Sequence, residues 1–258
     1  ILAHLKNSKA LPKTVLVATD YNCIPFMEET DCDYYVVPAP DLSGEFSSKG
    51  IPIEKILPYG IPVGRDFTAK YGKDEARARL GLLSGEKYIL LSGGSIGAGQ
   101  MAETVMVLER FLRENKDCHL LILCGKNRNL YRRLNRKYAC HAQIQVMEST
   151  PQMADYMKAC DLFITKPGGL SSTEAAACGI PLIHISPIPG CEQQNADYFV
   201  EHGMSVFVGN PEKELLSAVH TLRQGSSFYS MASAQRCCVN PYATEKLCDF
   251  MEQTIDLQ

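Results

Sequence analysis

From residue 86 onward, short apolar runs typical of buried strands alternate with longer amphipathic segments typical of helices. Six strands are predicted, at residues 88–92, 119–124, 143–147, 161–165, 181–185 and 205–208. Six helices are predicted between and after them, at residues 100–114, 129–138, 151–159, 172–177, 193–202 and 212–223. This alternation is typical of a parallel sheet with right-handed crossovers. The sequence therefore predicts a doubly wound, Rossmann-like α/β domain, for which the commonest strand order is 3-2-1-4-5-6.

Ahead of residue 65 the chain has too few elements to enclose a core of its own. Three strands are predicted there, at residues 14–19, 33–37 and 55–59, with a helix at residues 42–49. We expect residues 1–64 to be the C-terminal part of an incomplete N-terminal Rossmann-like domain, with on the order of 80 to 100 residues preceding it in the full-length protein. We expect residues 65–85 to be a linker with one short helix, and residues 86–258 to be the ligand-binding C-terminal domain. Its last helix is expected to pack back on the N-terminal domain.

The composition excludes several classes of protein. A net charge of −3 over 258 residues gives no basic footprint for nucleic acid. Eleven cysteines, an odd number without a C-x-x-C pair, indicate a reduced, cytoplasmic protein. Cys118-His119 and Cys140-His141 lack the spacing of metal ligands, so no metal site is predicted. No apolar run has the length of a membrane span.

Two glycine-rich loops follow the first and the fourth strands of the predicted sheet. They are SGGSIGAG, residues 92–99, and TKPGG, residues 165–169. In the order 3-2-1-4-5-6 those two strands are neighbours at the topological switch point, where α/β proteins bind ligands. The loops lack both the dinucleotide-binding pattern and the GK[ST] of a P-loop. They therefore predict another phosphate-bearing ligand, held by backbone N–H groups of residues 94–97.

Polar residues beyond the second loop narrow the choice of ligand. Glu174 lies one turn into the following helix, where an ionised carboxylate can accept hydrogen bonds from a pair of ribose hydroxyls. The alternative is a capping box, Ser171-x-x-Glu174, at the start of that helix. After the fifth strand, residues 192–195 supply polar groups that could contact sugar hydroxyls, unless they only begin an exposed helix. A nucleotide-sugar fits these features together.

Four stretches of the chain resemble the C-terminal half of glycosyltransferase family 28, whose members have the two-domain GT-B fold. They are SGGSIGAG, LCGKNRNL, FITKPGGLSSTEAAACGIPLI and PIPGCEQQNADYF. TDY at residues 19–21 and PYGIPVGRDF at residues 58–67 are also similar to segments of that family. Within the family, the chain is most similar to the bacterial processive diacylglycerol glucosyltransferases and the monogalactosyldiacylglycerol synthases. The resemblance extends from about residue 14 to the end of the chain.

The resemblance implies roles for individual residues around a UDP-sugar. It assigns the diphosphate to Gly94, Ser95 and Gly97, uracil to Thr150, the nucleotide to Pro167, Gly168 and Gly169, the ribose to Glu174, and the transferred hexose to Glu192, Gln193 and Asn195. Family members often have GIPVR or GIPIR, whereas here Gly64 intervenes and Arg65 stands one position later. The phosphate contact of that arginine is therefore not carried over.

The activity that the resemblance implies is transfer of a hexose from UDP-glucose or UDP-galactose to diacylglycerol, with inversion and without a metal or another cofactor. Such an enzyme is expected to be cytoplasmic and peripheral on the inner face of the cell membrane, which its N-terminal domain contacts. The catalytic histidine of the resembling lipid enzymes lies early in that domain, ahead of this chain. Asp20 is a candidate to orient such a base, and the alternative is a turn residue.

Other functions fit the same residues. One is a non-catalytic UDP-sugar-binding subunit that needs a membrane partner. The others are an N-acetylglucosaminyltransferase of lipid-linked cell-wall precursors and a UDP-sugar epimerase. The basic run at residues 128–137 is expected to be a solvated helix face rather than a contact for anionic lipid.

Overall fold

The computed structural model describes residues 13–97, 99–223 and 225–256, which form two parallel β-sheets with helices packed around them. The smaller sheet contains, in order, β1 (Val15–Val17), β2 (Tyr34–Val36) and β3 (Ile56–Leu57). The larger sheet contains β4 (Lys87–Ser92), β5 (Cys118–Leu123), β6 (Ile144–Met147), β7 (Leu162–Thr165), β8 (Leu182–Ile185) and β9 (Val206–Val208). Its order is β6-β5-β4-β7-β8-β9, which confirms the predicted doubly wound arrangement.

The larger sheet forms where the sequence has continuous apolar runs. Every residue of β7 and β8 is buried, and Leu90 and Leu91 in β4 are inaccessible to solvent. Strands buried on both faces need apolar side chains at consecutive positions, because helices cover both sides of a parallel sheet. The register pairs Ser92 with Thr165, so the chain leaves β4 and β7 side by side at the carboxyl edge of the sheet. This places the two glycine-rich loops next to each other.

Helices of the described residues cover both sheets. They are α1 (Ser43–Ser48), α2 (Arg65–Thr68), α3 (Lys73–Leu80), α4 (Met101–Glu114), α5 (Arg128–Tyr138), α6 (Met153–Ala159), α7 (Gly169–Cys178), α8 (Cys191–Glu201), α9 (Pro211–Arg223), α10 (Gly225–Cys238) and α11 (Ala243–Asp256). Within the described ranges, none of these helices is long and apolar enough to cross a bilayer.

Some helix bounds differ from the sequence prediction. The linker contains two helices, α2 and α3, rather than one. The chain turns at residues 69–72 between them, and α3 packs against α6. There Arg77 donates to the Ala159 carbonyl oxygen (3.0 Å) and to Asp161 Oδ2 (3.0 Å). The helix predicted to begin at Ser171 or Ser172 begins at Gly169. The bounds of α10 and α11 were not predicted.

The C-terminal helix α11 and the preceding turn contact the smaller sheet and the segment that follows it. The Phe250 ring meets the Tyr34 ring edge to face, with centroids 4.7 Å apart. Asn240 Nδ2 donates to the Tyr59 carbonyl oxygen (2.7 Å), and Thr244 Oγ1 donates to that of Val63 (2.8 Å). These contacts tie the end of the chain to residues near its start.

Candidate functional site

The loops that follow β4, β5, β7 and β8 meet at the carboxyl edge of the larger sheet. Lys126 N, after β5, donates to the Ser95 carbonyl oxygen, after β4 (2.8 Å). Gln100 N, before α4, donates to Ser186 Oγ, after β8 (3.3 Å). Parallel strands end at the same edge, so loops that are distant in sequence are brought together there.

The loop at residues 94–97 is a tight turn that uses part of its own hydrogen-bonding capacity. Gly97 N donates to the Gly94 carbonyl oxygen (3.1 Å), and Gly94 N donates to Ser92 Oγ (3.2 Å). Among the described residues, no acceptor is found for the N–H groups of Ser95 and Ile96, and both residues are exposed. Fewer N–H groups are therefore left to bind an anion than the prediction for residues 94–97 assumed.

Two glycines of this region are required by contact between loops. A Cβ at Gly97 would overlap the Cys124 carbonyl oxygen, and one at Gly125 would lie 2.5 Å from the Gly94 carbonyl oxygen. Asn127 also joins the two loops. Its Nδ2 donates to the Gly97 carbonyl oxygen (3.1 Å), and its Oδ1 caps α5. The sequence analysis did not single out Asn127. Its position before a helix, as an N-cap residue, was the available signal.

The N-terminus of α7 has no side-chain cap. Gly168 is the N-cap residue, so the N–H groups of the first turn are not satisfied by a capping side chain. The capping-box alternative is wrong, because Ser171 is the third residue of the helix rather than its cap. A Cβ at Gly169 would overlap the Thr19 carbonyl oxygen. Gly169 therefore allows α7 to contact the backbone after β1. A Cβ at Gly168 would meet only the ends of two side chains, Glu192 Oε1 and Lys166 Nζ, each at 4.0 Å.

Glu174 lies in the second turn of α7, half-buried. Desolvation by burial raises the pKa of this carboxyl group from 4.5 to about 7. Within the described residues, no hydrogen bond or ion pair to its carboxylate is found, and burial is the one cause of the shift. A carboxylate that is desolvated without a partner is costly, so the site favours a ligand that donates hydrogen bonds.

Lys166 and Glu192 form an ion pair between Nζ and Oε1, with side chains 14% and 10% exposed. Lys166 follows β7 directly, and Glu192 is the second residue of α8. The second oxygen of Glu192 accepts from Ile188 N (2.9 Å). Glu192 was a predicted site residue, whereas Lys166 was not, although it lies within TKPGG. A cation directly before a glycine turn was the signal for it.

Asn195, which the resemblance assigns to the transferred hexose, makes three hydrogen bonds within the protein. It is inaccessible to solvent. Its Oδ1 accepts from Tyr21 N (2.6 Å), and its Nδ2 donates to Asp20 Oδ1 (2.7 Å) and to the Pro167 carbonyl oxygen (3.1 Å). The side chain joins α8, the loop after β7 and the loop after β1. Its amide group is thus committed to protein contacts that hold Asp20 next to the loop after β7.

Three other residues singled out from the sequence have the following positions. Gln193 is half-buried and its Nε2 donates to Asp197 Oδ1, one turn further along α8 (2.8 Å). Thr150 Oγ1 accepts from Gln152 N (3.0 Å) in the turn before α6. Arg65 is the first residue of α2 and is exposed. In the part of the chain that the structure describes, no cluster of three or more His, Cys, Asp or Glu residues could hold a metal ion.

Several proteins of known family are similar to this chain in sequence. The model of the monogalactosyldiacylglycerol (MGDG) synthase family matches residues 1–63. The processive diacylglycerol beta-glucosyltransferase of Staphylococcus saprophyticus is 30% identical over 241 residues, which are 90% of this chain and 59% of that protein. The protein of the same name from Staphylococcus carnosus is 28% identical, over 93% of this chain and 61% of that protein. The chain thus spans about 60% of the length of these relatives.

Solved structures support the same fold at lower sequence identity. MurG of Acinetobacter baumannii superimposes with a TM-score of 0.66 at 19% identity, over 96% of this chain and 69% of that chain. UDP-GlcNAc 2-epimerase of Neisseria meningitidis, solved bound to UDP-GlcNAc, superimposes with a TM-score of 0.71 at 12% identity, over 93% of this chain and 70% of that chain. The model of the glycosyltransferase family 28 C-terminal domain matches residues 88–253, which is more than half of the chain. The chain therefore belongs to glycosyltransferase family 28.

Proposed function

We propose that this chain is the donor-binding part of an enzyme that transfers a hexose from a UDP-sugar to diacylglycerol. One observation carries the proposal. Groups suited to a ligand come directly after two adjacent strands, β4 and β7. Among the described residues, the N–H groups of Ser95 and Ile96 have no acceptor, the N-terminus of α7 has no side-chain cap, and Glu174 is desolvated. Uncommitted N–H groups suit a diphosphate, and a carboxylate without a partner suits ribose hydroxyls. A nucleoside diphosphate offers both groups in one molecule.

The rest of the donor is assigned by the same logic. Gly168 leaves space for the nucleotide between the two loops, with Gly94 and Gly97 shaping the phosphate side and Pro167 and Gly169 fixing the loop after β7. Thr150 borders the uracil. Glu192 and Gln193, in the first turn of α8, contact the hexose. Because Asn195 is committed to Asp20 and Tyr21, we assign it to the support of the site rather than to the sugar.

The chemistry that this arrangement supplies is stabilisation of a departing UDP. Backbone N–H groups and a helix N-terminus oppose the negative charge that grows on the diphosphate, so a metal ion is not required. The acceptor hydroxyl needs a general base, which we propose lies in the N-terminal domain of the full-length protein. Asp20, fixed by Asn195, is proposed to orient that base. Attack from the face opposite the diphosphate would invert the anomeric centre.

The diacylglycerol acceptor is suggested by the printed names of the relatives. Since that lipid resides in a membrane, we propose that the full-length protein acts as a peripheral protein at the inner face of the cell membrane. The N-terminal domain would make that contact.

Titration with UDP tests the donor site directly. We expect UDP to shift the amide NMR signals of Ser95, Ile96, Gly168 and Leu170. Shifts confined to residues 14–59 would contradict the proposal. Uridine is the control, because it lacks the diphosphate and should leave Ser95 and Ile96 unchanged.

Product analysis tests the reaction. The full-length protein is incubated with diacylglycerol and with UDP-glucose, UDP-galactose or UDP-N-acetylglucosamine, and the lipids are identified by mass spectrometry. A hexosyl diacylglycerol supports the proposal. Transfer only of N-acetylglucosamine, epimerisation of the donor, or binding without turnover would support one of the alternative functions instead.

A further inference from the structure

The ion pair between Lys166 and Glu192 lies between the two halves of the proposed donor site. The Lys166 side chain crosses the turn after β4, so that a Cβ at Gly94 would lie 2.7 Å from its Cε. Its Nζ then reaches Glu192 at the start of α8. One partner therefore borders the proposed diphosphate position, and the other borders the proposed hexose position.

The two partners are not equally dependent on each other. Glu192 has two further sources of stabilisation, the N–H group of Ile188 (2.9 Å) and the positive end of the α8 dipole. Within the described residues, Glu192 is the hydrogen-bond acceptor found for the Lys166 ammonium group. Removing Glu192 would thus leave the mostly buried Lys166 ammonium group without an anionic partner. This is unfavourable unless another anion takes the place of Glu192.

From this asymmetry we propose that donor binding transfers Lys166 from Glu192 to the diphosphate and frees Glu192 Oε1 to accept a hexose hydroxyl. The inference rests on the proposed function and adds a coupling between its two subsites. In both states each buried charge keeps a partner. Without donor, Lys166 pairs with Glu192. With donor, Lys166 pairs with phosphate oxygen, while Glu192 retains the Ile188 N–H group and gains the sugar hydroxyl.

The movement that this exchange requires is small. Lys166 Nζ is already only 4.0 Å from the position of a Cβ on Gly168, the N-cap residue of α7. A lysine ammonium on its flexible stem can reorient towards a phosphate without a change in the backbone. During transfer, the same cation would meet the charge that develops on the departing UDP.

The test is a double-mutant cycle measured by calorimetry on this chain, with UDP and UMP as probes. Lys166→Met should weaken UDP binding by about tenfold or more, because a charge-assisted contact is lost. UMP, which lacks the β-phosphate, should change by less than about twofold. Lys166→Arg should recover part of the UDP affinity. Lys55→Met, which removes an equal charge from the exposed pair with Asp31, is the control and should leave both affinities unchanged.

The second arm of the cycle distinguishes exchange from simple repulsion. Glu192→Gln releases Lys166 and should strengthen UDP binding by about fivefold in the parent background. In the Lys166→Met background the same substitution should have less than about twofold effect. An equal gain in both backgrounds would overturn the inference, since it would mean that Glu192 only repels the diphosphate. Equal losses of UDP and UMP affinity in Lys166→Met would also overturn it. Failure of the parent chain to bind UDP would instead refute the proposed function.

Discussion

Replacement of Glu174 by Gln tests whether this residue is held in the fold for a ligand rather than for stability. Burial raises the pKa of the Glu174 carboxyl group from 4.5 to about 7. The folded protein therefore binds the proton more tightly than the unfolded chain. Between pH 4.5 and about pH 7, the free energy of unfolding must fall as the pH rises. In this range the folded protein binds more protons than the unfolded chain, and a higher pH favours the state that binds fewer.

The magnitude follows from the two pKa values. A rise from 4.5 to about 7 corresponds to roughly 3 kcal/mol of destabilisation at alkaline pH. Because Glu174 is half-buried and water reaches part of the side chain, we expect about 2 kcal/mol. Gln has nearly the same shape and no charge. Glu174→Gln should thus stabilise the ligand-free chain by about 2 kcal/mol near pH 8, raising the melting temperature by about 4 °C or more.

The assay is denaturant or thermal unfolding of parent and variant between about pH 4 and pH 8. The difference in the free energy of unfolding should be near zero at about pH 4, where Glu174 is protonated in both states, and should grow until about pH 8. The matched control is Glu252→Gln, at an exposed position of α11, where the difference should stay within about 0.5 kcal/mol. A Glu174→Gln variant that is less stable than the parent at pH 8, or a difference independent of pH, would refute this reasoning.

The same variant separates stability from binding. If ribose hydroxyls donate to the ionised carboxylate, UDP should bind Glu174→Gln about five- to 150-fold more weakly near pH 8. The ratio of the two affinities should shrink below about pH 6, because the protonated parent no longer offers a carboxylate. Equal UDP affinity for both proteins across this range would show that the ribose is held elsewhere.

Three further predictions concern residues within the fold. Gly169→Ala should lower the free energy of unfolding by about 2 kcal/mol or more in a denaturation experiment, since the new Cβ would overlap the Thr19 carbonyl oxygen. The control is Gly44→Ala in α1, whose Cβ would meet no atom within 4 Å and which should be neutral or stabilising. The hydrogen bond from Tyr138, with those from Lys137 and Arg113, lowers the pKa of Glu109 to about 2. Glu109→Gln should therefore destabilise the folded protein by about 1 to 3 kcal/mol at pH 7, and progressively less as the pH falls below 4.5. A loss of stability that is unchanged at low pH would contradict this. Burial lowers the pKa of His184 to about 3, so its ring NMR signals should not titrate between pH 7 and 5, and this neutral ring costs stability as the pH falls below 6.5 because only the unfolded chain then takes up the proton. Titration of the His184 signals near pH 6.5 would mean that the ring is exposed.

The main elements of the larger sheet were predictable from the sequence because their signals are local. Apolar runs such as LLIL in β5, turns with glycine and amphipathic segments between them require no knowledge of distant contacts. The strand order followed from the rules for crossovers, and it placed the loops after β4 and β7 together. The start of α7 was misjudged because Ser171 has the sequence signature of a cap, while the actual N-cap is Gly168.

What only the tertiary structure decided is the purpose of individual residues in those loops. Gly169 looked like a glycine for ligand approach, yet it faces the Thr19 carbonyl oxygen. Asn195 looked like a sugar ligand, yet it bonds Asp20, which is 175 residues away in the chain. The desolvation of Glu174 depends in the same way on what folds around it. A local pattern determines which groups a loop can offer. Which of them remain free for a ligand depends on partners from other parts of the chain, because a donor or acceptor already satisfied within the fold gains little by binding another.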